Sequence, residues 1–275
     1  MPVPKYLDPR RYYRRARQFY FASRYDPAAT AAAERVKFEA AGLDVEAARA
    51  RLDEVLLGLS GRRFDHVTGT DSVHWLLLAA LSLTPWGRKV RRVLEIGTFR
   101  GKTTRILHDL FPEAEIVTCD LPESDPIMNS SYGREDPVVR ARHLAKRTQN
   151  LDSSRIRFVE ANSFFLPSLA PGPYDLIWVD GGHLYPEIAW DLCNAWHAAA
   201  EDGMILCDDI FLDPRAGDGV YGGYDSLEAL QYLVARAPIK VTYFLKRENP
   251  QWSADPKHRK HVALLRKQPG RLGGD

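Results

Sequence analysis

Three carboxylates and one imidazole, each at the end of an apolar run, are the first chemical signature of this chain. Tyr174-Asp-Leu-Ile-Trp-Val leads into Asp180, and His183 follows across two glycines. Met204-Ile-Leu-Cys207 leads into the pair Asp208-Asp209. Hard divalent cations such as Mg²⁺ take oxygen ligands, commonly a few carboxylates completed by water and substrate. Asp180, Asp208 and Asp209 are therefore the candidate metal ligands. A hydroxyl bound to such a metal loses its proton more readily, and an imidazole with an ordinary pKa of about 6.5 can accept it. His183 is the candidate general base. Acids also end α/β strands simply to cap helices or to hold a cofactor, so Asp180 alone would say little.

A second constellation lies upstream. Val93-Leu-Glu95-Ile-Gly97-Thr98-Phe99-Arg-Gly101-Lys-Thr103-Thr104 reads as a strand, a tight glycine turn and a helix start. Glycine there lets the backbone approach a ligand, and the helix start offers free amides. The middle glycine of the dinucleotide fingerprint is missing, with Phe99 in its place, and so is the Gly-Lys-Ser/Thr of a P-loop. Glu95 suits a ligand bearing an ammonium or hydroxyls better than one bearing phosphates. Asp120 closes the next strand, where an acid can accept two ribose hydroxyls. Asn162 and Ser163 close the one after, within reach of a base edge.

These residues need a frame that brings strand ends together. Strands are predicted at 91–96, 115–120, 156–161, 175–180, 203–208, 239–246 and 261–267. Helices are predicted at 71–83, 101–111, 136–148, 185–200 and 224–236, with an Ala-rich helical stretch at 30–58 broken near Gly42. Strands separated by helices imply a parallel sheet covered on both faces. Only a polar segment joins the last two, so they must run antiparallel. The expected fold class is α/β, a Rossmann-like seven-stranded, mostly parallel sheet with an antiparallel last strand and an N-terminal helical extension. Residues 1–67 are the expected extension and 68–275 the expected catalytic domain. Insertions at 121–135 and 211–224 fall at C-terminal strand ends, where open α/β sheets bind ligands.

With Glu95-x-Gly97, Asp120, Asn162 and this strand order together, residues 68–267 resemble the class I S-adenosylmethionine-dependent methyltransferases. The resemblance implies that Gly97, Thr98 and Gly101 line the methionine part of that cofactor and that Asp120 and Leu121 hold its ribose. Glu95, Thr103, Asn162, Ser163 and Asp180 complete the expected cofactor set. The acids at 180 and 208–209 are similar to those of the metal-dependent O-methyltransferases of the catechol type. Histidine three residues after the first acid, where those enzymes have lysine, looks more like the macrolide-sugar O-methyltransferases. That likeness implies a divalent metal such as Mg²⁺, His183 as base, and a sugar or vicinal-diol acceptor. Tyr185, Tyr221, Tyr224 and His74 are candidate acceptor contacts, as are Trp190 and, for an acidic acceptor, Arg134 and Arg215. The competing readings are a metal-independent methyltransferase acting on another acceptor, or a nucleic-acid or membrane-associated protein.

That last alternative comes from the first 24 residues. They carry seven basic side chains (Lys5, Arg10, Arg11, Arg14, Arg15, Arg17 and Arg24) against Asp8, interleaved with aromatics. The patch is short and unrepeated, and the 275-residue chain has a net charge of only +2. Docking on the protein's own domain, or on a second copy, is the expected role; nucleic acid is not an expected partner. No apolar run reaches the roughly 18 residues of a membrane span, and the N-terminus lacks the apolar core of a secretory signal. Cys119, Cys193 and Cys207 have no zinc-type spacing, so free thiols in a reducing cytoplasm are expected.

Overall fold

Side chains along each strand alternate between two hydrophobic cores, as a period of two residues requires. In a computed structural model of the chain, residues 23–66, 71–213, 224–248 and 256–268 are described, together with Ala16, Phe19 and Tyr20. Tyr221, Arg215 and most of the basic N-terminal arm lie outside the described residues. Strands β1 (Arg92–Ile96), β2 (Glu115–Asp120), β3 (Ile156–Glu160), β4 (Tyr174–Val179), β5 (Ala199–Phe211), β6 (Ile239–Leu245) and β7 (Lys260–Lys267) form one sheet. Its order is β3-β2-β1-β4-β5-β7-β6. All neighbours are parallel except β7, which runs antiparallel to both β5 and β6. The expected sheet, with its antiparallel final pair, is the one observed.

Helices α1 (Pro27–Ala40), α2 (Val45–Ser60), α3 (Val73–Leu83) and α4 (Lys102–Leu110) help bury one face. Val93, Ile116, Leu176, Trp178, Leu206, Phe244, Val262 and Leu264 point into that core. Leu94, Ile96, Ile177, Val179, Ile205, Cys207, Ala263 and Leu265 point the other way. There they meet the helices α8 (Glu187–Ala198) and α9 (Asp225–Arg236). The short helices α5 (Pro126–Ser130) and α7 (Leu166–Leu169), the longer α6 (Pro137–Leu151) and, among the described residues, three 3-10 turns lie between these elements. Pro27, Pro126 and Pro137 each open a helix behind an aspartate that caps it, the arrangement that satisfies free amides at helix starts. The helical stretch 30–58 is indeed two helices, with Gly42 at φ 71° between them.

The crossovers place every C-terminal strand end of β1, β2, β4 and β5 along one edge of the sheet. β5 runs further than the predicted 203–208, through both aspartates to Phe211. Its pairing with β7 shifts between Cys207 and Ile210, so Asp208-Asp209 form a bulge inside the strand. Asp209 takes φ 56° there, a left-handed conformation that is uncommon for a residue with a side chain. No helix among the described residues is long and apolar enough to cross a membrane.

Helices α1 and α2 share their core with the sheet, and Leu56 is fully buried in it. Leu56→Ala should lower stability by about 2–5 kcal/mol. Chemical denaturation should show this in a single transition whose midpoint moves for the sheet and the helices together.

Candidate active site

The turn after β1 is the closest backbone approach at this edge. Gly97 has φ 101°, and a Cβ there would lie 2.1 Å from the carbonyl oxygen of Asp180. Only glycine fits such a position. The Asp180 amide donates to Ile96 O at 2.8 Å, and the Gly97 amide to Cys119 O at 2.9 Å, which ties the ends of β1, β2 and β4 together. Gly101 (φ 69°) opens α4, with α6 packed too closely against it for an added methyl to be free of contact. Phe99 takes φ 49° despite its side chain. Its amide donates to Asp120 Oδ2 at 2.7 Å, and the Leu121 amide to Asp120 Oδ1 at 2.8 Å. These bonds orient the Asp120 carboxylate at the end of β2 and leave each oxygen a further lone pair.

Glu95 does not open onto the edge; it is enclosed. Its Oε2 accepts from the hydroxyls of Thr104 and Thr118 (the latter at 2.6 Å), and Thr98 Oγ1 lies 2.6 Å from Thr118 Oγ1. The carboxyl thus joins β1, β2 and the start of α4, while its Oε1 has no partner. Burial pushes its pKa up to about 8, against the opposing effect of the two threonines. Thr103 turns inward as well, accepting from Trp75 Nε1 at 3.1 Å beside His74 Nε2. Asn162 accepts from the Phe164 amide at 2.9 Å and so caps the turn that contains Ser163.

Asp180, His183, Asp208 and Asp209 do converge. His183 Nε2 is 3.5 Å from Asp180 Oδ1 and 3.9 Å from Asp209 Oδ2. Burial opposes a charge on that imidazole, but Asp180, Asp209 and Asp208 together raise its pKa above the ordinary value. Burial and the neighbouring Asp208 charge push Asp180 up to about 7. Two residues that the sequence did not single out complete the group. Lys246 Nζ lies 2.5 Å from both Asp208 Oδ2 and Asp209 Oδ1, and Lys260 Nζ lies 2.6 Å from Asp209 Oδ2. Burial disfavours ionised Asp208 and Asp209, yet Lys246 and the surrounding cations hold both well down in the ionised range. The period of two gives a clue to Lys246, since it shares a face with Phe244 as Asp208 does with Leu206. Only the sheet order brings those faces together.

Asp191 on α8 was also not anticipated. It is buried beneath Gly181, its Oδ1 has no partner, and burial pushes it up to about 6. Asp120, Asp180 and Asp191 thus place acid around the glycine turn, an acceptor set that suits a ligand carrying an ammonium and a second cationic centre. The metal expectation fares differently. Asp208 Oδ2 and both oxygens of Asp209 are engaged by lysines, and among the described residues no three His, Cys, Asp or Glu side chains are arranged to hold a metal ion. As arranged, these residues do not fit a divalent cation.

Of the expected acceptor contacts, His74 is not at the surface of the site. It stacks on Trp178 with ring centroids 4.3 Å apart, bonds Ser72 through Nδ1 at 2.7 Å, and burial lowers its pKa to about 3. Tyr185 is 47% exposed, with its amide bonded to Asp225, whereas Tyr224 packs against the core under α9. Trp190 lies across Phe164, with ring centroids 3.9 Å apart. Arg134 is buried, its Nε donating to Met128 O at 2.6 Å.

Residues 94–210, from β1 through the bulge of β5, match the family model described as a methyltransferase domain. The chain thus resembles methyltransferases over the stretch that holds the glycine turn and the bulged aspartates. It is 28% identical over 159 residues to the O-methyltransferase ankF of Aspergillus thermomutatus, covering 54% of this chain and 59% of that relative. The chain therefore spans less than two thirds of that relative's length. Among solved structures it is similar to the S-adenosylhomocysteine-bound methyltransferase PaMTH1 of Podospora anserina, with 20% identity, 70% and 78% of the two chains covered and a TM-score of 0.49. It is also similar to the O-methyltransferase TomG of Streptomyces achromogenes, with 19% identity, 85% and 95% coverage and a TM-score of 0.49.

Glu95 binds its proton more tightly in the folded chain than in the unfolded one. Its contribution to stability is therefore fully present below the ordinary carboxyl range and falls as pH rises towards the raised value. Thermal melts of the cofactor-free protein should show Glu95→Gln gaining on wild type between about pH 5 and about pH 8. A constant difference across that range would mean that Glu95 is ionised when buried.

Proposed function

We propose that this protein transfers a methyl group from S-adenosylmethionine to a hydroxyl of a small-molecule acceptor, a sugar or vicinal diol, with His183 as general base. The observation that carries this reading is the His183 imidazole, held by acids at the strand edge beside the glycine turn. When bound, S-adenosylmethionine supplies a methyl group already activated on a sulfonium.

Asp120 is oriented to accept the ribose hydroxyls, and the acid-lined turn at Gly97 and Thr98 compensates the ammonium and sulfonium charges. Asp180 and Asp191 extend that negative lining towards His183. An alcohol becomes an adequate nucleophile as its proton leaves, and a positioned base contributes about 10²–10⁴-fold. Nε2 is the ring nitrogen that faces Asp180 and Asp209, so these acids orient the ring that takes the proton. The imidazolium formed there is stabilised by both carboxylates. The remaining contribution is alignment of acceptor oxygen, methyl carbon and sulfur. A metal bridging Asp208 and Asp209 would need Asp208 Oδ2 and the oxygens of Asp209, which Lys246 and Lys260 engage, so no step here uses a metal. Tyr185 and Trp190 are exposed aromatics that could contact a ring-bearing acceptor.

Formation of S-adenosylhomocysteine in the presence of hydroxylated acceptors tests the reading, and failure to bind S-adenosylmethionine in calorimetry would overturn it. His183→Ala should lower turnover by about two to four orders of magnitude while cofactor affinity stays near wild type. Because the base must be unprotonated, kcat/KM should fall on the acid side through a pKa above the ordinary imidazole value. Asp209→Asn removes one of the charges that raise it and should move that limb to lower pH; an unmoved limb would assign it to another group.

A further inference from the structure

The methyl-transfer reading leaves one buried charge without a role. Lys246 continues one residue past β6, with its side chain only 10% exposed. A buried ammonium is costly unless it is paired and hydrogen-bonded. Here it is paired twice, 2.5 Å from Asp208 Oδ2 and 2.5 Å from Asp209 Oδ1, in short charge-assisted bonds. Lys260 covers the other oxygen of Asp209 at 2.6 Å. Mg²⁺ in the same place would need those oxygens at about 2.0–2.1 Å from itself. The ammonium and the metal therefore compete for the same ligands.

The backbone supports the arrangement. The bulge and the left-handed φ of Asp209 turn both carboxylates towards Lys246, a conformation that persists only where the surroundings hold it.

We propose that Lys246 is the resident cation of this site, standing where a divalent metal would bridge Asp208 and Asp209, so that the acceptor-side carboxylates are held in place without a metal. This rests on the methyltransferase reading of the same edge. Lys246 acts as a positioning residue: it fixes Asp209, which faces the base His183, and carries no proton or methyl itself.

The test is Mn²⁺ binding read by electron paramagnetic resonance, which needs neither cofactor nor acceptor. Wild-type protein should leave the free Mn²⁺ signal unchanged, and a chelator should leave its turnover unchanged. Lys246→Met removes the ammonium and should take up one Mn²⁺ per chain, at least tenfold more tightly than wild type, with a melting temperature that rises on adding Mn²⁺. Lys246→Arg keeps a cation and should stay as indifferent to Mn²⁺ as wild type. One tightly bound Mn²⁺ per wild-type chain, lost in Asp208→Asn, would overturn the proposal. A folded Lys246→Met that takes up no Mn²⁺ would overturn it equally. If Lys246→Met does not fold, the wild-type titration with its Asp208→Asn control decides alone. Absent S-adenosylmethionine binding would sink the function and leave the Mn²⁺ result standing, so the two failures can be told apart.

Discussion

Neutralising buried carboxylates is the constraint on which the working edge of this molecule depends. Asp208, Asp209 and Asp180 are drawn out of water by the same strands that build the core, and ionised groups there are tolerated only with partners. Lys246, Lys260 and His183 supply those partners, and each comes from a different part of the chain. The bulge in β5 is the backbone expression of the same requirement, since one extra residue lets two consecutive side chains serve a single cluster. Glu95 solves the problem differently. With only hydroxyls to bond, it is driven towards its neutral form and becomes a fastener between β1, β2 and α4.

The glycine turn and the charged cluster are mechanically linked. Gly97 lies against the Asp180 backbone, and Asp180 in turn lies beside His183. The position of His183 is thus set through the same contact that shapes the glycine turn. Phe99 shows how a departure from the expected glycine is accommodated. Its left-handed backbone is stabilised by the bond to Asp120.

Much of this was legible in the chain. Alternating strands and helices implied the parallel sheet, the short polar link implied the antiparallel end, and the elements fall within a few residues of expectation. β5 is the exception, extended through its aspartates because the bulge keeps them in the ladder. At the site, Asp180, His183, Asp208 and Asp209 meet as their strand-end positions implied. His74 does not join them, because stacking on Trp178 and bonding to Ser72 turn it into the core. Asn162 and Thr103 likewise use their polar atoms on neighbouring backbone and side chains.

The sequence by itself determined the class of fold, the order of the acids along the edge and the place of His183 beside them. Periodicity and turn residues are local, and a strand end announces itself in a few residues. Only the tertiary structure decided which charges balance which. Lys246 follows Asp208 by 38 positions and meets it because β5 and β6, both antiparallel to β7, end at the same edge of the sheet. A carboxylate trio reads as a metal site until that ammonium is seen among its oxygens, and no local pattern records a pairing made across a sheet.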